Sequence, residues 1–480
     1  MTTGKHAKEI LSIASRREPF VDDYLVGKMH GVALKLQQPA PQNVVLDFDR
    51  PWEGNCCCYV ALFKDGGLYR MYYRGASYFP GSKQSMRQVV CYAESSDGIK
   101  WHRPNLGLYA HAGSKRNNIV LVGRGSHNFS PFRDENPSCK PDARYKALAG
   151  HGAFGSKENA LFAFKSKDGF RWELMRAKPV ITDGAFDSQN LAFWDAVRGC
   201  YIDFHRDFRP AHGTYAHHIV FKGRHGGRKF MAVRDIKTCT SRDFLNWSKP
   251  QWVDFGAAPF EQLYTNAVTP MPGCGHVLVG FPKRFVSFRK RIPEDHGGVS
   301  DAVFMSSRDG LRWQRWAEAF IRPGLLRDAW FNRNNMTAWG LAMTAPVRGD
   351  EPEISLYVTE GYYTPRCRLR RYTIRQDGFV SIHAGARNGE FTTRPLIFEG
   401  SKLFINFSTS APGLVRAEIQ DLSGKPVPGF SLRDCPEMYG DALNEPVAWK
   451  GGVDLAFLAG KPVKLRFAMR DADLYAIQFK

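Results

Sequence analysis

Short apolar runs, each closed by turn residues, set the pattern along most of the chain. RQVVCYAE, ALFAFKS, KFMAVRDIKTCT and SDAVFMSS read as strands. Each leads into a related octet: ESSDGIKW (94–101), KSKDGFRW (165–172), TSRDFLNW (240–247) and SSRDGLRW (306–313). Asp-Gly between strands predicts a type I′ hairpin, because that turn needs positive φ. The third copy has Asp243-Phe244 instead, so its turn must differ. Each octet ends in Trp on the returning strand, where the ring can fill the gap between neighbouring sheets.

Trp101, Trp172, Trp247 and Trp313 stand 71, 75 and 66 residues apart. Near-constant spacing marks a repeat architecture. One period holds about four strands with loops, which suits a propeller blade. A second strand signal precedes each octet: LYRMYYRG, RYKALAGH, GCYIDFHRDF and HVLVGFPKRF. MTAWGLAMTAP, EISLYVTEGYY and LRRYTIRQDGFVSI make a fifth unit with a looser echo at Asp377-Gly378. After HAGARNGEFTTRP the rhythm changes to LIFEGSKLFINFST, LVRAEIQD, VDLAFLA and VKLRFAMRDADLYAIQF. These read as closely spaced strands of a β-sandwich. The expected fold is all-β: an N-terminal extension over 1–19, a five-bladed β-propeller over 20–382 and a β-sandwich over 383–480.

Composition adds few constraints. Hydrophobic residues make up 43% and aromatics 13%, which excludes a disordered chain. Net charge is +20, a field that draws acidic polysaccharide, nucleic acid or anionic lipid. The basic residues are dispersed, so neither a nucleic-acid nor a membrane partner is expected. The densest basic stretch, RCRLRRYTIR, has the alternation of one strand face. The ten Cys include no CxxC pair and predict free, mostly buried thiols. His217-His218 has no partner at metal-ligand spacing. No secretory signal and no membrane-length apolar run occur. The expectation is a soluble chain, cytoplasmic as sequenced, or periplasmic or secreted where a leader has been removed.

The phrase S-x-D-x-x-x-W after a strand, once per blade, resembles the five-bladed propeller glycoside hydrolases, families 32 and 43. TSRDFLNWSKP is most similar to their blade edges, and REPFVDDYLVGKMHG with DFDRPWEG looks like a bacterial branch of that superfamily. The resemblance implies a glycosidase on a propeller with a following sandwich, as in family 32. It also implies acids at the starts of several blades, facing the axis. Sialidase repeats place one more residue between Asp and Gly, which argues against that group. W-x-N-D-P-N and E-C are absent, and Arg133-Asp134-Glu135 only approximates R-D-P. Substrate and stereochemistry therefore do not carry over.

Glycoside hydrolysis needs two carboxyls flanking the bond, so acids just before inner strands are the candidates. Asp49, Asp134, Asp187 and Glu261 are the candidate catalytic residues. Glu261 is the preferred general acid, and Asp187, beside Phe186, is its competitor. Arg133 beside Asp134 suits an ionised carboxylate. Trp52 and Glu53 flank the first blade's candidate acid, with Trp52 able to stack on a sugar. Gln189, Asn190, Tyr264 and Asn266 offer hydrogen bonds to hydroxyls. His205, Arg206, Arg284 and Arg333 end strands or begin blades, and Arg333 can grip a carboxylate or sulfate. No metal site and no required cofactor are expected, although propellers of this class leave room for a structural calcium ion.

The expected activity is exo-acting cleavage of terminal sugars from an oligo- or polysaccharide, with an acidic or sulfated glycan suggested by charge. The rival is a non-catalytic glycan-binding propeller. Oligomeric state is not legible. Hydrolysis by paired carboxyls requires at least two of Asp49, Glu53, Asp134, Asp187 and Glu261 to converge.

Overall fold

The structure, a computed structural model, describes residues 10–78, 88–150, 159–210, 221–225, 228–292 and 297–480. Two compact units divide the chain: Pro39–Thr373, and Met1–Gln38 together with Ile374–Lys480. This division differs from the sequence boundaries. Residues 20–38 and 374–382 fall outside the propeller unit, and His217-His218 lie outside the described residues.

Pro39–Thr373 forms five antiparallel sheets, one per repeat, and is a five-bladed propeller. Blade one runs Cys58–Asp65, Leu68–Gly75, Val89–Ser95 and Ile119–Val122. Blade two runs Ser130–Arg133, Tyr145–Ala149, Phe162–Ser166 and Glu173–Leu174. Blade three is built on Leu191–Asp195, Cys200–Pro210 and Arg228–Ser241. In blade four the second strand is broken at Phe281-Pro282 into Cys274–Gly280 and Lys283–Val286. Blade five contains Met336–Thr337, Glu353–Glu360 and Arg368–Arg375, and its outer strand is Ala40–Asp47, from the start of the unit. That strand closes the ring. Local pattern does not reveal the closure, because the partners lie more than 300 residues apart in sequence.

Hydrogen bonds join the inner strands across the axis. Trp339 N–H donates to Val60 O and Leu62 N–H to Trp339 O, both at 2.8 Å, joining the inner edges of blades one and five. Gln189 Nε2 reaches across to Val60 O at 3.0 Å. Buried asparagines secure the other inner strands. Asn190 Nδ2 donates to Phe186 O and Ser188 O, and Asn266 Nδ2 to Phe204 O. Buried backbone carbonyls at the axis must find donors, and these amides supply them.

The octets bridge adjacent blades, as their Trp residues predict. Trp101 meets Tyr357 of blade five at 5.6 Å, Trp172 meets Tyr72 of blade one at 6.2 Å, and Trp313 meets Phe204 of blade three at 5.6 Å. The turn is not the expected type I′ hairpin. Asp97 has no positive φ, whereas Gly98 takes 71°. Asp97 Oδ1 accepts the N–H groups of Ile99 and Lys100 at 2.7 and 2.8 Å, and Ser95 Oγ accepts from Gly98 at 2.9 Å. The loop is thus wound around its own side chains. In the third copy Phe244 itself adopts φ 69° and is fully buried. Its ring packs on Phe132 of blade two at 5.6 Å and on Tyr201 at 5.2 Å.

In the second unit, Lys464–Phe479 is the spine of a largely antiparallel sheet. It pairs with Gly389–Thr393, Val380–Ala384, Glu18–Pro19 and Leu403–Gln420. The N-terminal strands Val26–His30 and Val32–Leu36 lie at the edges of that order. Of the described residues before 20, Glu18–Pro19 joins this sheet, and Leu11–Ala14 pairs in parallel with Leu396–Phe398 in a separate two-stranded sheet. LFINFST and LVRAEIQ form one bent strand, and VDLAFLA contains only the 3-10 turn Ala456–Leu458. Asp377-Gly378 belongs here too, with Asp377 fully buried and ion-paired to Arg17, so it is not a blade octet. All ten cysteines are free and eight are buried, as the sequence predicts.

Phe244→Ala is expected to lower the unfolding free energy by about 3–5 kcal/mol, through lost burial between blades. Gly310→Ala is expected to cost about 1–3 kcal/mol, because φ is 79° and a Cβ would meet Ile202 Cδ1 at 2.8 Å. Denaturant unfolding measures both. A Phe244→Ala loss below about 1 kcal/mol would contradict this account of the third octet.

Candidate active site

The inner strands of all five blades begin at one end of the propeller, and charged and phenolic side chains meet there. Tyr264 of blade four is the hub. Four cations lie over or beside its ring: Lys283 at 4.4 Å, Arg206 at 5.3 Å, Arg333 at 5.8 Å and Arg234 at 5.9 Å from the centroid. The Tyr264 and Tyr59 hydroxyls share a hydrogen bond of 2.8 Å. Arg74 lies 4.8 Å from the Tyr59 ring and donates to Tyr362 Oη at 2.8 Å. Arg333 donates to the same oxygen at 3.1 Å.

These cations are held by neutral acceptors. Lys283 Nζ donates to Asn332 at 3.1 Å, Arg206 Nε to Ala185 O at 2.9 Å and Arg234 Nη1 to Gln262 at 2.6 Å. Among the described residues none of the five forms an ion pair with a carboxylate. The cations are affected unequally: against the burial penalty, Cys58 and neighbouring tyrosines raise Arg74 and tyrosines raise Arg333, whereas Lys283 and Arg234 are lowered. Burial, and then the charges of Arg333 and Arg234, push the Lys283 ammonium well below its usual range. Burial and Arg206 bring Arg234 down to about 10. Like charges gathered in a poorly solvated place raise each other's cost. The backbone is strained as well: Tyr59, Arg333 and Tyr363 have φ of 52°, 68° and 70°. Each such conformation costs roughly 1–3 kcal/mol, and such strain collects at functional sites.

One carboxylate enters this field. Asp187, just ahead of the inner strand of blade three, has a side chain 56% exposed, while His127 beside it is buried. His127 Nε2 lies 2.8 Å from Asp187 Oδ1, and its Nδ1 lies 3.0 Å from Gln88 Oε1 and 3.4 Å from Arg74 Nη1. Burial holds His127 neutral, down at about 4, against the pull of its bond to Asp187; the Arg74 charge adds to the depression. Burial alone would raise the Asp187 carboxyl. The His127 bond and the Arg206 charge outweigh it and keep the group below the ordinary carboxylate range. The result is an accessible anion oriented by a neutral imidazole.

The other candidate acids lie elsewhere. Asp49 is 63% exposed and pairs with Arg103. Glu53 is fully buried, accepting from Tyr73 at 2.6 Å and Arg103 at 2.9 Å, and burial raises its carboxyl. Asp134 is buried against Lys146 and Tyr201, and its neighbour Arg133 turns to Asp65 at 3.5 Å instead. Glu261, the preferred general acid, is engaged by Arg284 at 3.0 Å and Arg315 at 2.7 Å. With both oxygens occupied by guanidiniums it is an ion-pair anchor, and Arg284 is its partner rather than a ligand for substrate. Asp49 and Glu53 thus meet at one atom, Arg103 Nη1, at 3.0 and 2.9 Å, while Asp134, Asp187 and Glu261 each engage separate partners.

The binding candidates divide similarly. Arg206, Tyr264 and Arg333 are in the cluster. Gln189, Asn190 and Asn266 serve the backbone at the axis. Trp52 donates to Asn118 at 2.7 Å, within blade one. His205 is completely buried, hydrogen-bonded to Asp203 and Asp183 O. Sequence reading missed Tyr59, Arg74, His127, Arg234 and Tyr362 as site residues. A signal for Arg74 was present: Arg74, Arg206 and Lys283 occupy matching places at the axial ends of second strands. A separate open depression of about 800 Å³, lined by Asn136, Trp194, Arg198 and Asp243 among others, shares no residue with this cluster.

No family model and no curated protein sequence matches the chain. Several solved structures match the chain at low similarity. A protein described as a glycoside hydrolase has 13% identity and a TM-score of 0.46, over 70% of this chain and 92% of the other. A family 43 arabinoxylan arabinofuranohydrolase from Bacillus subtilis, solved with cellotetraose, has 10% identity and a TM-score of 0.42, over 90% and 97%. An endo-arabinase from Bacteroides thetaiotaomicron has 10% identity and a TM-score of 0.39, over 69% and 98%. At these values the function must be argued from the site itself.

The depressed His127 has a consequence for stability. From its ordinary 6.5 down to about 4, the unfolded chain takes a proton that the folded chain excludes, so this group's contribution falls as pH falls through that window. His127→Gln is expected to flatten the slope of unfolding free energy against pH between those values. An unchanged slope would show that His127 titrates normally.

Proposed function

We propose that the chain is a carbohydrate-active enzyme, a glycosidase, whose axial site takes a terminal sugar carrying a carboxylate or sulfate. The observation that carries this reading is the cluster of five cations, matched by neutral acceptors and by one accessible carboxylate. An anionic group on the ligand supplies the missing charge, and guanidiniums bind carboxylate and sulfate in a directed, bidentate way. The sequence expectation of an acidic glycan thus gains a local basis in place of net charge. No helix among the described residues is long and apolar enough to cross a membrane.

The expected pair of catalytic carboxyls is replaced by one. Asp187, ionised and oriented by His127, activates water or attacks the anomeric carbon. Proton exchange with the leaving oxygen falls to the Tyr264–Tyr59 hydroxyl pair. Glycosidases that depart from the two-carboxylate scheme, including those with a Tyr nucleophile, provide chemical precedent. The fixed guanidiniums hold the ligand's own anionic group without reorganising. The second unit is read as a β-sandwich because its two longest strands, Leu403–Gln420 and Lys464–Phe479, pair along a bend. The rival reading, a non-catalytic receptor for anionic glycans, is favoured by the single carboxylate and makes a distinct prediction.

A panel of neutral, uronate-bearing and sulfated oligosaccharides separates these readings. Terminal sugar release from anionic members is expected, with Asp187→Ala lowering kcat about 10²–10⁴-fold. Arg333→Ala is expected to weaken capture of anionic substrates about 10–100-fold, the loss of a charged hydrogen bond. Tight binding without turnover would establish the receptor reading, and preference for neutral furanosides would overturn the anionic one.

A further inference from the structure

Blade three contains a second cluster that the axial site does not use. Asp203 and Cys239 stand directly opposite each other on paired strands, and His205 lies two residues along on the same face. All three are buried. One ligand atom from each falls within 4.8 Å of the others. We propose that Asp203, His205 and Cys239 form a structural site for a first-row transition-metal dication, zinc above all.

Three independent features support the site. First, His205 Nε2–H donates to Asp183 O at 3.0 Å, which leaves Nδ1 turned toward Asp203. A ring N–H fixed on a carbonyl suits a metal-bound histidine, and the other nitrogen shares with Asp203 a proton that a metal ion would displace. Secondly, Asp203 Oδ2 is buried without a hydrogen-bond partner, an orphan that a metal ion would satisfy. Thirdly, the thiol and the carboxylate are spaced as ligands, while His205 Nδ1, now hydrogen-bonded to Asp203 Oδ1, would move apart from it on coordination. Asp203 Oδ1 and Cys239 Sγ are 3.5 Å apart. Zinc bonds of about 2.0–2.3 Å place tetrahedral neighbours about 3.3–3.7 Å from each other. A bidentate Asp203 with His205 and Cys239 supplies four donor atoms. The thiolate and imidazole exclude calcium, which takes oxygen ligands.

Local charge also favours a dication. Asp183, Asp203 and Asp207 share this neighbourhood with Lys237, which pairs with Asp183 and Asp207 at 2.7 Å each. On coordination the Cys239 thiol proton and the proton between Asp203 and His205 leave to solvent, and carboxylate and thiolate neutralise the ion. The His205 ring lies 5.3 Å from Phe186, whose neighbour is Asp187. A bound ion would thus fix the segment 183–187 from behind and act on Asp187 as a positioning element.

The test uses the full-length protein and does not depend on glycan turnover. The chain is purified from zinc-supplemented medium, its metal content measured, and the chelator-stripped protein titrated with Co²⁺. About one equivalent of bound metal is expected. The cobalt form should show tetrahedral visible bands and a thiolate-to-cobalt charge-transfer band. Cys239→Ala should abolish that charge-transfer band and weaken Co²⁺ binding at least tenfold while keeping the native far-ultraviolet spectrum. Folded wild-type protein that retains no zinc and takes up no Co²⁺ would overturn the proposal, as would a charge-transfer band unchanged in Cys239→Ala. Should Cys239→Ala not fold, the presence or absence of the wild-type charge-transfer band decides alone.

Discussion

Closure of the ring is the constraint on which the rest depends. A blade exposes unpaired edges and an apolar face that only the next blade covers. Ala40–Asp47 completes blade five by pairing with Arg368–Arg375, which ties the start of the propeller unit to its end. Closure then forces five inner strands to begin at one place. Side chains that stand far apart in the sequence, such as Tyr59, His127, Asp187, Tyr264 and Arg333, are brought together by that geometry and by nothing local. The amide groups of Gln189, Asn190 and Asn266 and the octet rings stabilise the same closure from inside and from between the blades.

The axial cluster works against this stability. Cations without carboxylate partners gather there, two of them, Lys283 and Arg234, lowered by burial and by neighbouring charge, and three residues with left-handed backbone add strain. Packing elsewhere offsets that cost, because Tyr59, Tyr264 and Tyr362 present aromatic faces to the cations. A fold shaped only for stability would place acids among these groups, as it does at Glu261 with Arg284 and Arg315. The contrast between those two neighbouring arrangements of arginine is the main physical argument that the axial cluster serves a ligand.

Much of the architecture was legible because it is local and repeated. Octet spacing gave the blade number, and Trp positions gave the contacts between blades. The closing strand was not legible, nor was the place of residues 20–38 in the second sheet, because strand pairing over hundreds of residues leaves no local trace. Within the site, Arg206, Tyr264, Arg333 and Asp187 were found from their places at strand ends. Asp49, Glu53, Asp134 and Glu261 share that placement, yet each is taken up by a cation or tyrosine from another strand. Sequence gives an acid's position along a blade, but not which guanidinium reaches it. The cluster of Asp203, His205 and Cys239 escaped for the same reason: its spacing resembles no linear metal motif, and only antiparallel register brings Cys239 opposite Asp203.

A single carboxylate in a cationic site changes what the substrate must contribute. In a two-carboxylate glycosidase the protein supplies both the negative charge that stabilises the oxocarbenium-like transition state and the acid that protonates the leaving group. Under the proposed reading Asp187 alone meets positive charge at the anomeric centre, and the surrounding arginines oppose that charge. A sugar with its own carboxylate or sulfate relieves the opposition. Its anion occupies the guanidiniums, lowers the local positive potential and leaves Asp187 free to act on the ring carbon. Under the proposed reading the ligand's charge is therefore part of the catalytic electrostatics as well as of recognition, and a neutral sugar of the same shape would leave the arginines unscreened.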